Sequence, residues 1–145
     1  MKRNSNQKAI PKGALVSLSL ITLVIALDQA AKFFVVKSSI SWTCNLGFAF
    51  GILPGFLNGL IAFSILSMIV YLFLRQREFK FYASFALIIG GGIANITDRI
   101  FRGCVVDFIH IPLWPTTFNL ADVAITTGVL LLIFSMFKNF SKKDD

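Results

Sequence analysis

The chain has 145 residues, of which 56% are hydrophobic and only 14% are charged. Soluble domains carry about 25% charged residues, and a soluble globule of this length has too little interior to bury so much Leu, Ile, Val and Phe. The composition therefore excludes a soluble domain and indicates a protein that lies in a membrane.

Four apolar segments are long enough to cross a bilayer, which requires about 20 residues. They span residues of about 14–36, 56–74, 81–97 and 118–137. The first follows a basic start, as in a signal peptide, but it has no small-x-small cleavage site before Asp28, so we expect it to be retained as a helix. We predict one polytopic membrane domain over residues 1–145.

The two longer connections, at about 37–55 and 98–117, are rich in aromatic and turn-forming residues. The alternating segment from Val105 to Ile111 is typical of a β-strand. Because backbone polar groups must be paired in hydrocarbon, such segments pair with each other or reach the interface. The predicted fold class is an all-α membrane protein with four transmembrane helices and a small β-rich extracytoplasmic element.

Basic residues cluster at every second junction between the apolar segments. Ten of the fourteen lie there: Lys2, Arg3, Lys8, Lys12, Arg75, Arg77, Lys80, Lys138, Lys142 and Lys143. This is the positive-inside pattern, which places both termini in the cytoplasm and the longer connections on the outer face. The net charge of +7 is thus a topology signal, and we expect no nucleic-acid partner because these clusters form no folded basic surface.

Four of the seven acidic residues lie at the outer ends of the segments or in the second outer connection: Asp28, Asp98, Asp107 and Asp122. A carboxylate costs about 2.5–3.5 kcal/mol at the centre of a membrane helix, so such residues suggest a functional site. Asp28 lies four residues before Lys32, which favours a helical ion pair. Asp98 is next to Arg99. We expect it either to pair with Arg99 or to fix the turn after the third helix.

Asp107 and Asp122 are the candidates for chemistry. Asp107 stands alone in an apolar strand-like segment. Asp122 lies near the start of the fourth helix, where its simplest structural role would be a favourable interaction with the helix dipole. Two carboxylates close together in a partly apolar site share a proton, which divides acid and base roles between them. Such a pair activates water against a peptide carbonyl and protonates the leaving amine.

Other catalytic arrangements fit less well. A Ser–Lys dyad would use Lys32 with Ser38, Ser39 or Ser41, but Asp28 keeps the lysine charged and a charged lysine is a poor base. The only histidine, His110, has no serine motif for a triad, although a pair with Cys104 is conceivable. With one histidine, no metal-ligand pattern is present.

Five ordered motifs resemble those of the lipoprotein signal peptidases (signal peptidase II), the bacterial membrane aspartyl proteases. Residues 28–32 are similar to the family's D-x-x-x-K and residues 45–50 to N-x-G-x-A-F. Residues 91–99 resemble G-G-x-x-N-x-x-D-R, residues 105–108 V-x-D-F, and residues 118–125 F-N-x-A-D-x-A-I. Together they cover nearly the whole chain.

The resemblance implies a role for each matching residue. Asp107 and Asp122 match the catalytic aspartates. Four residues would hold substrate or orient that pair, namely Asn45, Asn95, Arg99 and Asn119. Asp28, Lys32 and Asp98 would brace the site. The implied reaction is removal of a prolipoprotein's signal peptide before a diacylglyceryl-modified cysteine, with water as nucleophile and no cofactor or metal.

The resemblance also implies a cellular location, and the chain departs from the family pattern at two positions. The expected location is the bacterial cytoplasmic (inner) membrane, with a monomeric protein whose site at the outer face meets membrane lipid and the lipid-modified substrate. Phe48 and Ala94 stand where the family commonly has smaller residues, so Phe48 is expected to narrow the cleft. The two cysteines, Cys44 and Cys104, show no metal spacing; we interpret them as unpaired, although a disulfide is open to them on the outer side.

Two other classes of function remain as alternatives. Four helices with intramembrane Asp and Lys also suit a small proton-coupled transporter, although transport sites usually lie near the bilayer midplane. An assembly subunit without chemistry would account for the Gly90–Gly92 packing stretch but not for two isolated carboxylates.

Overall fold

The computed structural model describes residues 12–47, 56–76, 78–113 and 115–141. Phe48 and most of the basic clusters lie outside the described residues, namely Lys2, Arg3, Lys8, Arg77, Lys142 and Lys143. Four α-helices make up the architecture: α1 (Lys12–Lys37), α2 (Phe56–Arg75), α3 (Tyr82–Arg102) and α4 (Leu120–Ser141). A short 3-10 turn at Phe79–Phe81 connects α2 to α3.

Helix α3 is the central helix of the bundle. Half of its apolar span is buried inside the protein, compared with 11% for α1 and 17% for α4. All three are long and apolar enough to cross a membrane, and Leu60–Arg75 of α2 forms a shorter apolar helix. Large side chains such as Leu27 and Phe134 are more than half exposed, which suits a lipid solvent as apolar as they are.

Glycines allow α3 and α4 to approach closely. A Cβ added to Gly91 would lie 2.5 Å from the carbonyl oxygen of Ala121, and one added to Gly128 would lie 2.7 Å from the carbonyl oxygen of Ser84. Small residues at helix contacts are the usual way in which membrane helices pack backbone to backbone. The contact at Gly91 matters for the site because it fixes the first turn of α4.

The described connections between the helices contain four short strands: β1 (Thr43–Asn45), β2 (Val105–Asp107), β3 (Ile109–His110) and β4 (Thr117–Phe118). Strand β1 pairs antiparallel with β2, with Cys44 opposite Val106. Strand β3 pairs antiparallel with β4. The predicted all-α membrane fold with a small β-rich element is confirmed.

Helix α3 continues past Thr97, where the sequence predicted its end, to Arg102. It stops at Gly103, whose φ of 78° is the left-handed conformation typical of a residue that follows a helix. Asp98 and Arg99 therefore lie in the helix and not after it. The charged residues suggested an end at this point, but Asp98 is paired with Lys32 and Arg102, and a paired charge can be buried within a helix.

Cys44 and Cys104 form a disulfide bond with Cα atoms 5.5 Å apart. The interpretation of two unpaired cysteines is therefore wrong. Sixty residues separate the pair in sequence, and only the pairing of β1 with β2 brings them together. Spacing along the chain carries no signal for such a contact.

Candidate active site

Asp107 is the last residue of β2 and its carboxylate is held by two asparagine amides. Asn119 Nδ2 donates to Asp107 Oδ1 at 2.6 Å, and Asn45 Nδ2 donates to Asp107 Oδ2 at 2.9 Å. The residue is 1% exposed. Burial raises the pKa of Asp107 above its usual range, the two amide hydrogen bonds oppose that rise, and the charge of Asp122 adds to it.

Asp122 belongs to a capping box at the start of α4. Asn119 Oδ1 accepts a hydrogen bond from the Asp122 backbone N–H at 3.0 Å, and Asp122 Oδ2 accepts one from the Asn119 N–H at 3.2 Å. This reciprocal arrangement satisfies two donors that a helix start leaves free. The other carboxylate oxygen, Oδ1, accepts from Asn95 Nδ2 at 2.8 Å. Both of these hydrogen bonds to the Asp122 carboxylate therefore come from N–H donors.

Asn119 connects the two aspartates. Its side-chain oxygen holds the backbone of Asp122 and its side-chain nitrogen holds the carboxylate of Asp107. One fully buried amide thus fixes β2 relative to the first turn of α4. Because an amide has one acceptor end and one donor end, these two contacts also fix its orientation.

Lys32 of α1 lies at the centre of a second layer of the site. Its ammonium is fully buried and contacts Asp28 Oδ2 at 2.7 Å and Asp98 Oδ2 at 2.8 Å. Its third hydrogen bond goes to Asn95 Oδ1 at 3.0 Å. All three ammonium protons therefore have an acceptor, which is the condition for keeping a buried charge.

Asp28 and Asp98, which bind Lys32, also accept backbone hydrogen bonds. Each donor is the N–H of the residue before one of the two candidate catalytic aspartates. Asp28 Oδ1 accepts the N–H of Ala121, the residue before Asp122, at 2.9 Å. Asp98 Oδ2 accepts the N–H of Val106, the residue before Asp107, at 3.2 Å. Lys32 thus connects α1 to both elements that carry Asp107 and Asp122.

Asp98 pairs with Lys32 and Arg102, and not with the adjacent Arg99 as one reading of the sequence expected. Neighbouring residues on a helix point in different directions, whereas residues four apart share a face. Gln29 closes this edge of the cluster, since its Nε2 donates to Asp98 Oδ1 at 2.9 Å and its Oε1 accepts from Arg102 at 2.9 Å. Sequence reasoning gave neither Gln29 nor Arg102 a role, although the i,i+4 spacing of Asp98 and Arg102 was a signal for the ion pair.

Arg99 extends from α3 towards β1. It donates to the carbonyl oxygen of Asn95 at 3.2 Å and to that of Gly47 at 3.0 Å. Its Nε is buried and has no hydrogen-bond partner among the residues that the structure describes. Arg99 lines the same cleft as the two aspartates.

A cleft of about 930 Å³ contains Asp107, Asp122 and Arg99 in its lining. Its polar wall also includes Asn45 and Asn95. Most of the rest is apolar, and three helices contribute much of it through residues such as Leu66 and Ile69 of α2, Ile88 of α3 and Ile125 of α4. The cleft therefore offers an apolar chamber next to a pair of carboxylates.

The competing catalytic groups are arranged differently. The ammonium of Lys32 makes its three hydrogen bonds to Asp28, Asp98 and Asn95, so none of them goes to a serine. Ser38 instead donates to the carbonyl of Val35. Cys104 is in the disulfide, so it offers His110 no thiol. Within the described ranges, no group of three or more His, Cys, Asp or Glu residues is arranged to hold a metal ion.

Comparison with known proteins places the chain in a family. Residues 20–138 match the family model described as signal peptidase (SPase) II. The chain is 43% identical to the lipoprotein signal peptidase of Caldicellulosiruptor bescii, over 82% of this chain and 89% of that protein. It is 33% identical to the lipoprotein signal peptidase of Psychromonas ingrahamii, over 88% of each chain.

Solved structures show the same likeness. A bacterial membrane enzyme determined by the in meso method at 2.3 Å superposes with a TM-score of 0.79 and 28% identity, over 88% of this chain and 91% of that one. A second such structure at 1.9 Å gives a TM-score of 0.75. The family model matches most of the chain, and the relatives match over most of their own length. The chain therefore belongs to the signal peptidase II family as a bacterial membrane peptidase of the aspartic class.

Proposed function

We propose that this peptidase removes the signal peptide of prolipoproteins before a diacylglyceryl-modified cysteine, using water activated by Asp107 and Asp122. The observation that carries the proposal is the single buried amide of Asn119, which bonds to both aspartates at the wall of an apolar cleft. The relatives of this chain are named lipoprotein signal peptidases, and this name supports a lipoprotein signal peptide as the substrate.

The charges around the site favour one shared proton on the pair. The cluster contains three cations, Lys32, Arg99 and Arg102, and four carboxylates, Asp28, Asp98, Asp107 and Asp122. The charges balance when Asp107 and Asp122 together hold one proton. Because an unbalanced buried charge is costly, this is the state that the resting site favours.

That state supplies both catalytic groups. The ionised carboxylate takes a proton from water as the water attacks the scissile carbonyl, and the protonated carboxyl gives its proton to the leaving amine. The two carboxyls titrate as a unit, so base and acid belong to the pair and not to one residue each. Arg99 also lines the cleft beside the pair, and we expect its guanidinium to bind a substrate carbonyl or a lipid phosphate.

The apolar part of the cleft suits the rest of the substrate. A signal helix and acyl chains both lie in the bilayer, and the lining from α2, α3 and α4 gives them an apolar surface. We place the site at the outer face of the bacterial cytoplasmic membrane with both termini inside, following the distribution of basic residues. The protein acts as a monomer, and the surrounding lipid is its other partner.

The test is cleavage of a diacylglyceryl-modified precursor by purified protein, comparing wild type with Asp107→Asn and Asp122→Asn. We expect the wild type to release the signal peptide and each variant to lose at least about 10³-fold in kcat, since each lacks half of one acid–base unit. Helical content and unfolding midpoint serve as controls for folding. Cleavage that survives in both folded variants would refute the dyad.

A small proton-coupled transporter is the competing function, and the same preparation distinguishes it. In liposomes, transport predicts a proton-coupled flux that Asp122→Asn abolishes while precursor cleavage is absent throughout. We expect no such flux, because all four outer acids are engaged at one end of the bundle.

A further inference from the structure

Strand β1 carries Asn45, one of the two amides on Asp107, yet it is held by few contacts. It has three residues and pairs only with β2 in the described part of the chain. Thr43 Oγ1 also contacts the hydroxyl of Thr117 at 2.5 Å and the carbonyl of Asp107 at 3.4 Å. Just after the strand, the carbonyl of Gly47 accepts a hydrogen bond from Arg99. Two-stranded ribbons of this kind are marginally stable alone.

The disulfide lies where it reinforces this pairing. Cys44 directly precedes Asn45, and Cys104 directly precedes Val105, which is the residue opposite Asn45 in the ladder. The covalent link therefore spans β1 and β2 beside the hydrogen bond from Asn45 to Asp107. Because the two cysteines close a long loop, the link removes much of the freedom with which β1 would otherwise separate from β2.

The disulfide is also accessible to chemistry. Cys104 is buried at 5% exposure, but Cys44 lies on an exposed strand. Its reduction takes up two electrons and two protons and gives two thiols. Its formation returns two electrons and two protons to an external disulfide-class oxidant by thiol–disulfide exchange. The outer side of a membrane, where we place the site, is a compartment in which such bonds persist.

We propose that the Cys44–Cys104 disulfide is a positioning element that keeps the Asn45 amide on Asp107, so that peptidase activity depends on the oxidation state of this cysteine pair. The inference rests on the proposed function. The cysteines themselves do not touch the carboxylates; they act through Asn45. When the bond is reduced, β1 keeps, among the described residues, the short ladder and a few side-chain contacts, and the amide leaves Asp107 for a larger share of the time.

The experiment measures kcat for a diacylglyceryl-modified precursor with full-length protein in detergent, before and after reduction by a phosphine. The phosphine supplies the electrons and becomes the phosphine oxide, and maleimide labelling counts the thiols in each sample. We expect two free thiols after reduction and none before. We expect kcat to fall about ten-fold. A lasting misplacement of about 1 Å costs about 10²-fold, and here the amide leaves Asp107 for part of the time.

Two variants separate positioning from general stability. In Asn45→Ala the amide is gone, so reduction has little left to disturb and should lower kcat less than two-fold; such non-additivity is the signature of residues that act through one another. The double variant Cys44→Ala/Cys104→Ala should resemble the reduced wild type and be insensitive to phosphine, which controls for effects of the reductant on substrate or detergent.

The outcomes are distinct. Full activity of the wild type with both thiols labelled would overturn the inference and leave the peptidase function intact. An equal fall in wild type and Asn45→Ala would also overturn it, by showing that the bond acts on overall stability. An oxidised wild type with no cleavage of any precursor would refute the proposed function, and the redox dependence with it.

Discussion

The ammonium of Lys32 determines which way the side chain of Asn95 faces. Lys32 Nζ lies 3.0 Å from Asn95 Oδ1, and Asn95 Nδ2 lies 2.8 Å from Asp122 Oδ1. An ammonium only donates, so the oxygen of the amide must face the lysine and the NH₂ group must face the aspartate. A charge on α1 thereby presents a donor to Asp122 on α4 through a residue of α3.

Replacing Lys32 by Met tests this connection. The change leaves Asp28 and Asp98 buried without their common cation, and we expect unfolding free energy to fall by about 3–5 kcal/mol. The matched control is Lys37→Met on the same helix, where the lysine is exposed and lies over the ring of Phe33; that change should cost under about 1 kcal/mol. Denaturant unfolding in detergent measures both, and equal losses would contradict the central role of Lys32.

Removing the Asn45 amide should change the pH dependence of cleavage. Asn45 donates to the charged form of Asp107 and so lowers a pKa that burial has raised. Without that donor the pKa of Asp107 rises further. In Asn45→Ala, the limbs of the kcat/KM profile, which report the Asp107–Asp122 pair as a unit, should therefore move to higher pH.

The control for this prediction is Thr43→Val. Thr43 lies on the same strand, but its hydroxyl contacts the backbone carbonyl of Asp107 and not the carboxylate. Its profile should keep the wild-type position. A shift of the Asn45→Ala limbs to lower pH, or an equal shift in both variants, would show that the amide does not set the titration of Asp107.

The close contact between Gly91 and Ala121 predicts a second kind of damage. A Cβ at Gly91 meets a backbone carbonyl oxygen at 2.5 Å, so Gly91→Ala must push the first turn of α4 away from α3. We expect a loss of about 1–3 kcal/mol in unfolding free energy and a fall in kcat, because that turn carries Asp122.

Gly92→Ala provides the comparison for stability. Its added Cβ would lie 3.0 Å from Leu66 Cδ1, the end of a flexible side chain that can rotate away, so the cost should be well below that of Gly91→Ala. Thermal or denaturant unfolding of the two variants side by side decides the matter. Equal stability of Gly91→Ala and wild type would mean that α4 has room to adjust.

The sequence was sufficient for the helices, the β-rich element and the family, because apolar length, strand alternation and ordered motifs are local signals. The partners of Asp98 were less well predicted, since the adjacent Arg99 obscured the i,i+4 relation to Arg102. Separate elements must pack together before the disulfide can form, or before the backbone N–H groups of Ala121 and Val106 can donate hydrogen bonds to Asp28 and Asp98. Such contacts leave no periodicity in the chain.

Asn119 combines two roles, and two substitutions separate them. Asn119→Ala removes both the cap of α4 and the donor to Asp107, whereas Asn119→Ser keeps a capping oxygen but has no amide to reach Asp107. We expect the Ala variant to be less stable than the Ser variant by about 1 kcal/mol, the usual value of an N-cap. Both should be strongly impaired in precursor cleavage, because neither donates to the Asp107 carboxylate.

Unfolding free energies and kcat measured on the same preparations provide the comparison. A Ser variant that recovers activity along with stability would show that Asn119 serves the helix alone and that Asp107 is held well enough by Asn45.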